Sequence, residues 1–329
     1  MHSLLIIGCG SIGERHLRCF QKSGRAIVTA CDTNPALLAA MQERYGAAGY
    51  ATLDEALAAG TYDAAVICTP AHLHLPMAQT LLKKGLHLLI EKPLALDLKL
   101  VPEVREAITA AGRFVGIAYV YHFMPWIAES HDFLSSGALG KILHASLSAG
   151  QHFPTFRPAY REIYYARHEH GGGAIQDALT HVANAFEWMI GPCTQLFADA
   201  AHQLLEGVTV EDTVNVSARH GDILVNYSLN QFQAANETTF LIHGQLGSLK
   251  IEVHARRWGH LLAGETEWTW HETAPLERDD LFIAQANAFL DGLEGLANAL
   301  STFEEAVQTL KFNLAALRSV HTGLPIVIE

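Results

Sequence analysis

Leu4-Leu5-Ile6-Ile7-Gly8-Cys9-Gly10-Ser11-Ile12-Gly13, with Asp32 beyond it, is the stretch that decides the fold. Four apolar residues without a polar break read as a strand buried on both faces, and Ile12, Leu17 and Phe20 then recur at helical spacing. A second apolar run, Ala26 to Cys31, ends at Asp32, 19 residues beyond Gly13. Each part has a physical role. Glycines permit a tight turn and close backbone approach, and the N–H groups opening the helix face an anion. An acid closing the second strand accepts hydrogen bonds from a ribose. The pattern predicts that Gly8, Gly10, Ser11, Ile12, Gly13 and Asp32 bind a dinucleotide. An aspartate repels a ribose 2′-phosphate, so NAD is favoured over NADP, with Arg15 and Arg18 nearby to soften that preference.

Outward from this stretch the alternation continues. Helices are expected over about Pro35 to Tyr45, from the capping pattern Thr52-Leu53-Asp54-Glu55, up to Lys84, and over about Asp97 to Ala111; strands over Ala64 to Cys68, Leu86 to Ile90 and Phe114 to Ala118. This predicts an N-terminal doubly wound parallel sheet, a Rossmann domain, over residues 1–121. Past Tyr121 the pattern changes. A helix near Pro125 to Ser135 and a strand near Leu143 to Gln151 precede an irregular, aromatic and arginine-rich segment, Phe153 to His170. Alternating runs then follow at Leu196–Ala200, Asp212–Arg219, Ile223–Leu229, Thr238–His243, Leu249–His254 and Glu267–His271. They predict a second α/β domain, 122–329, with a large open, mostly antiparallel sheet. Two closing helices, about Asp280 to Leu296 and Thr302 to Val320, are positioned to pack back on the first domain. A chain of 329 residues exceeds the roughly 250–300 at which one core stops growing, which also argues for two domains.

The formal charge of −12 disfavours nucleic acid and anionic membranes as partners. The five cysteines are odd in number and form no C-x-x-C pair, so they read as free thiols in a reduced, cytoplasmic setting. The apolar opening runs straight into glycines without a basic leader and is expected to be a strand, neither signal peptide nor membrane span.

Two further strings bring reactive groups. In Glu91-Lys92-Pro93 the lysine follows four apolar residues and precedes a proline that biases it to extended geometry at a strand's C-terminal end, where ligands of open α/β sheets collect. In Gly171-Gly172-Gly173-Ala174-Ile175-Gln176-Asp177-Ala178-Leu179-Thr180-His181, the acid and the imidazole are four apart, one face of a helix, behind a triple glycine that leaves room for close approach. Alone, Lys92 also reads as a solvated strand-closing lysine, His181 as one structural histidine among nineteen, and Asp177 as a first-turn acid. Around the change of domain stand Tyr119, Tyr121, Gln151, Arg157, Tyr160, Arg161 and Tyr164. Of these, Tyr121, Gln151, Arg157 and Tyr164, with Lys92, Asp177 and His181, are the expected substrate contacts, and the arginines hint at an anionic group. The pairs Asp177/His181, His168/His170 and His72/His74 lack the spacing of a zinc site, so no metal is expected.

Taken in order, Gly8-x-Gly10-x-x-Gly13 with Arg15-His16, Thr69-Pro70-x-x-x-His74, Glu91-Lys92-Pro93, the Gly171–His181 string, Glu211-Asp212 and Glu304-Glu305-Ala306 leading to Thr322-Gly323 resemble the Gfo/Idh/MocA family across nearly the whole chain. The resemblance implies NAD(P)-linked redox chemistry on sugars, polyols or related cyclic diols, and dimers or tetramers built through the open sheet. It also adds Thr69, Pro70, His74, Glu91 and Lys92 to the cofactor-binding residues, and makes Lys92, Asp177 and His181 catalytic. Two departures are visible: Ala71 stands where the family often has Asn, and Asn184 where an Asp often follows the histidine by three. The expected activity is an NAD-dependent dehydrogenase of a secondary alcohol on a sugar, cyclitol or sugar-derived acid. The alternatives on the same fold are a non-catalytic dinucleotide sensor and a glycosidase that oxidises its substrate transiently.

Overall fold

In the computed structural model, which describes residues 1–329, the N-terminal alternation closes into a seven-stranded sheet. Its elements are β1 (His2–Ile7), α1 (Ser11–Lys22), β2 (Ala26–Cys31), α2 (Pro35–Tyr45), β3 (Ala48–Tyr50), α3 (Leu53–Ala59), β4 (Ala64–Ile67), α4 (His74–Lys83), β5 (His87–Ile90), α5 (Val101–Ala111) and β6 (Val115–Ile117). The strand order is 3-2-1-4-5-6, all parallel, with the short strand Ser301–Thr302 added antiparallel beyond β6. Leu4 to Ile7 and Ala64 to Ile67 are buried throughout, which is why they carry no alternation: helices cover both faces of a parallel sheet. The strand order reverses between β1 and β4, and the loops leaving those two strands hold Gly8–Gly13 and Thr69–Pro70. That crevice is where open α/β sheets take their ligands.

The second unit contains α6 (Pro125–Ser135), β7 (Ile142–Gly150), the short α7 (Phe153–Phe156), α8 (Thr180–Ile190), β8 (Gln195–Ala201), β9 (Thr213–His220), β10 (Ile223–Asn230), β11 (Glu237–Gly244), β12 (Gly247–Glu252), β13 (Arg257–Leu262) and β14 (Thr269–Glu272). The order 14-13-12-11-7-10-9-8, extended by Ile326–Val327, makes nine strands. Every pair is antiparallel except β7 with β10. Alternation is strict where one face alone is covered: Val214, Val216 and Ala218 point inward on β9, and Val225, Tyr227 and Leu229 on β10. Phe186 of α8 meets Tyr227 and Phe240 edge-on at 5.4 and 4.9 Å, filling that inner face. A buried phenylalanine of this kind contributes about 1.5–3 kcal/mol through its area alone.

After β14 the chain returns to the first unit as α9 (Asp280–Leu293) and β15 (Ser301–Thr302), then runs into α10 (Phe303–Thr322) and β16 (Ile326–Val327). The first unit comprises Met1–Phe123 with Leu276–Val307, and the second Met124–Pro275 with Gln308–Glu329. Within the first, Phe289 of α9 packs edge-on against Phe20 of α1 at 5.9 Å, and Asp279 grips the Arg18 guanidinium at 2.7 and 2.9 Å. The Thr302/Glu305 capping box closes: the Thr302 N–H donates to Glu305 Oε2 at 2.6 Å and the Glu305 N–H to Thr302 Oγ1 at 3.2 Å.

Candidate active site

In the first unit the glycine turn has the geometry its sequence demands. Gly8 sits at φ +88°, a conformation only glycine adopts freely, and a Cβ on Gly13 would lie 1.8 Å from the Gly8 carbonyl oxygen. By contrast a Cβ on Gly10 would meet no protein atom within 4 Å. Gly10 caps α1 without a side-chain hydrogen bond, so the N–H groups of Ser11, Ile12 and Gly13 face outward at the positive end of the helix. This cradle fits a pyrophosphate. At the end of β2, Asp32 accepts the Cys9 N–H at 2.6 Å and the Asn34 N–H at 2.8 Å, which fixes its carboxylate beside the turn. Arg18 is committed to Asp279 and so is not poised as the cation that sequence reading set against Asp32, and Arg15 lies over the Phe282 ring at 4.8 Å.

Lys92 follows β5, half-buried, at a cis Lys92-Pro93 peptide. Its backbone is fastened by Glu91, which is 6% exposed: Oε2 accepts the Lys92 N–H at 3.0 Å, and Oε1 accepts His16 Nε2–H at 2.7 Å. The His74 ring nitrogens lie 3.0 Å from the Pro93 carbonyl and 2.8 Å from that of Thr69. Burial holds this imidazole below its ordinary pKa. Glu91 and His74, expected at the cofactor, therefore have their polar atoms turned to protein, and they brace the Thr69 and Lys92 loops. Tyr121 is the electrostatic neighbour of Lys92: burial pushes its phenol up to about 12 while the Lys92 charge pulls it back. Cys9 and Cys31, flanking the cradle, are buried free thiols pushed up to about 12 and about 11 chiefly by burial, which leaves them inert.

In the second unit, Asp177 lies on a π-helical turn, Ile175–Leu179, that runs directly into α8 with His181 in its first turn. The four-residue spacing thus spans a widened turn where sequence spacing predicts a plain α-helix; such turns concentrate at functional sites. Tyr164 donates its hydroxyl to Asp177 Oδ1 at 2.5 Å. The glycines make room for the protein's own atoms: a Cβ on Gly172 would sit 2.1 Å from the Tyr165 carbonyl oxygen, and one on Gly173, at φ +88°, 2.5 Å from Glu211 Oε1.

Segment 153–170, expected to be irregular, is built on its own apolar cluster of Phe153, Tyr160, Tyr165, Leu205, Val208 and Val210. Tyr160 belongs to that cluster, 1% exposed, with its hydroxyl donating to the Glu206 carbonyl at 2.7 Å, and Tyr119 is equally buried. Arg161 donates to the Glu206 carbonyl at 2.7 Å and covers the Tyr160 ring, whereas Arg157 is exposed. Gln151 is half-buried at the end of β7, its N–H donating to the Asn230 carbonyl at 3.3 Å. Asn184 is 1% exposed and donates to Thr309 Oγ1 at 3.1 Å, so the family's departure at this position faces the core. Glu211, which the sequence offers only as half of a motif, accepts the Ile175 N–H at 2.9 Å at the head of the π-turn. No helix is long and apolar enough to cross a membrane.

Comparison with known proteins agrees with this geometry. Residues 3–119 match the oxidoreductase family with an NAD-binding Rossmann fold, and residues 127–250 match the GFO/IDH/MocA C-terminal domain. The chain is 24% identical over 330 residues to 1,5-anhydro-D-fructose reductase of Ensifer adhaerens, covering 98% of each. It is 23% identical over 324 residues to inositol 2-dehydrogenase of Rhizobium meliloti (strain 1021), covering 96% of each. Among solved structures it shares the fold of levoglucosan dehydrogenase in complex with NADH and levoglucosan, with a TM-score of 0.88 at 20% identity over 99% of each chain. The chain belongs to the Gfo/Idh/MocA family of NAD-binding oxidoreductases.

Proposed function

We propose that the chain oxidises a secondary alcohol of a sugar, cyclitol or sugar-derived acid with NAD, or reduces the matching ketone. The observation that carries this reading is the Lys92 corner: an ammonium beside Tyr121, its backbone fastened by the Glu91–His16 pair, in the same unit as the glycine cradle. The names of the full-length relatives, a sugar reductase and a cyclitol dehydrogenase, support the substrate class. Residues Ser11 to Gly13 and Asp32 would hold NAD, which when bound supplies the hydride acceptor.

The chain's own residues then handle the proton and the charge. His181 takes the hydroxyl proton of the alcohol. Lys92 donates a hydrogen bond to that oxygen and stabilises it as negative charge develops. Asp177, oriented by Tyr164, holds the substrate's hydrogen-bond network. Tyr121, Gln151 and Arg157 are assigned to substrate binding, Arg157 to an anionic group where the substrate carries one. Positioned proton transfer is worth about 10²–10⁴-fold and a preorganised donor about 10²–10³-fold, so neither suffices alone. We also assign the protein to the cytoplasm and to a homodimer or homotetramer through the nine-stranded sheet, whose outer face exposes Phe197 and Leu224.

The test is thermal-shift titration with NAD and NADP, followed by a panel of sugars, inositols and sugar acids read at the nicotinamide absorbance. Stabilisation by NAD and turnover of at least one polyol are expected. Tight NAD binding with no absorbance change across the panel would overturn the reading in favour of a sensor, and cleavage of a chromogenic glycoside without net NADH would favour a glycosidase.

A further inference from the structure

The second unit contains a buried acid at the entrance to the candidate catalytic turn. Glu211 is 8% exposed. Its Oε1 accepts the Ile175 N–H at 2.9 Å, its backbone carbonyl accepts the Ala174 N–H at 2.9 Å, and its Oε2 accepts Nε2–H of His168. The Oε1 contact needs glycine at 173, since a Cβ there would lie 2.5 Å from that oxygen. Gly173 is the seat of this carboxylate.

His168 lies near the end of segment Phe153–His170, and the same segment sends Tyr164 to Asp177. Besides the Tyr165 hydroxyl, which donates to the Glu211 carbonyl at 3.4 Å, two side chains thus tie the segment to the π-turn and its cap, Tyr164 to Asp177 and His168 to Glu211. A carboxylate serving only as a helix cap would need the Ile175 N–H alone. The imidazole on the second oxygen joins two pieces of chain that are 43 positions apart in sequence. The bond is charge-assisted: Glu211 raises the His168 pKa against the opposing effect of burial, and Glu169 adds to the rise.

We propose that Glu211 and His168 are positioning residues, Glu211 setting the height of the turn that carries Asp177 and His168 latching the segment Phe153–His170 onto it. The assignment of Asp177 rests on the dehydrogenase reading above. Both residues act through Asp177 and Tyr164, and neither touches substrate.

The test uses the full-length protein with His168→Ala, His168→Gln, Glu211→Gln and Glu211→Ala. His168→Ala keeps the cap and removes the latch. It is expected to raise the KM for the polyol about tenfold, the size expected from one lost charge-assisted hydrogen bond, with kcat within about twofold and NAD affinity unchanged. His168→Gln, which retains a side-chain N–H donor, is expected to restore part of that KM. Glu211→Gln keeps an acceptor for the Ile175 N–H and should resemble His168→Ala, whereas Glu211→Ala should also lower kcat. Should Glu211→Ala fail to fold, the other three variants carry the test. A second readout is independent of activity: trypsin should cut after Arg161 several-fold faster in His168→Ala than in the parent. A parental KM in an active His168→Ala enzyme, or a parental rate of cleavage, overturns the proposal. If the parent turns over no polyol, the functional reading has failed, and cleavage after Arg161 still decides the latch.

Discussion

Lys92 and His181 are assigned complementary roles, stabilising a developing oxyanion and removing a proton, and their substitutions should differ in size while sharing one signature. Lys92→Met is predicted to lower kcat about 10²–10³-fold and His181→Ala about 10²–10⁴-fold, each with unchanged NAD affinity by thermal shift. Turnover near the parental rate in either variant would remove that residue from the mechanism. Asp32→Ala should weaken NAD and narrow its lead over NADP, because the carboxylate that repels a 2′-phosphate is gone; NADP binding that stays as weak as in the parent would contradict this. At this scale the sequence is legible where chemistry is local. Asp32 is proposed from its place at the end of β2, and Lys92, Asp177 and His181 from the strings that surround them. The role of Glu211 is not legible in this way, because its partners Ile175 and His168 are brought to it only by folding, and Tyr160 looks like a sugar-facing tyrosine until its burial beside Phe153 is seen.

Among the elements, the glycine turn makes the sharpest forecast. Gly13→Ala places a methyl 1.8 Å from the Gly8 oxygen, so the turn must open, and both the melting temperature and NAD affinity should fall. Gly10→Ala meets no protein atom within 4 Å, so stability should hold or rise slightly while NAD affinity falls at the surface meant for the pyrophosphate. Equal NAD affinity in Gly10→Ala and the parent would place the dinucleotide elsewhere. Strands and caps with strong local signals were readable, among them β1, β9, β10 and the Thr302/Glu305 box. Strand β13 was not: Arg257-Trp258-Gly259-His260 interrupts alternation with a glycine whose missing side chain is filled by Trp270, 2.8 Å from where a Cβ would stand. The parallel pairing of β7 with β10 and the π-turn were equally hidden, since periodicity reports which face is apolar and not which strand lies alongside or how wide a turn is.

For the molecule as a whole, the pH dependence of stability should include two opposed contributions from the second unit. His220, 3% exposed between the Gly191 carbonyl at 2.6 Å and the Tyr227 hydroxyl at 2.9 Å, is lowered by burial to about 4. The unfolded chain therefore binds the extra proton below its ordinary value of 6.5, and stability is lost as pH falls from there towards 4. Glu187 is raised by burial to about 7, against hydrogen bonds from Thr309, Gln308 and the Cys193 N–H. Here the folded state holds the extra proton, so stability is lost as pH rises from 4.5 through about 7. The two windows overlap and the two effects oppose each other there. Glu187→Gln should steepen the loss of stability on acidification relative to the parent; an unchanged pH profile in calorimetry would refute the opposition.

The return of Leu276–Val307 to the first unit makes the polypeptide change units three times, after Phe123, Pro275 and Val307. A gene cut once at the first of these points yields an N-terminal product without α9, and Phe20 and Phe114 lose the ring of Phe289 that each meets at 5.9 Å. Exchange of the second unit for that of a relative by a single recombination event would separate this ring from its neighbours in the same way. Transfer of the second unit between relatives thus calls for excision at all three junctions rather than a cut at one.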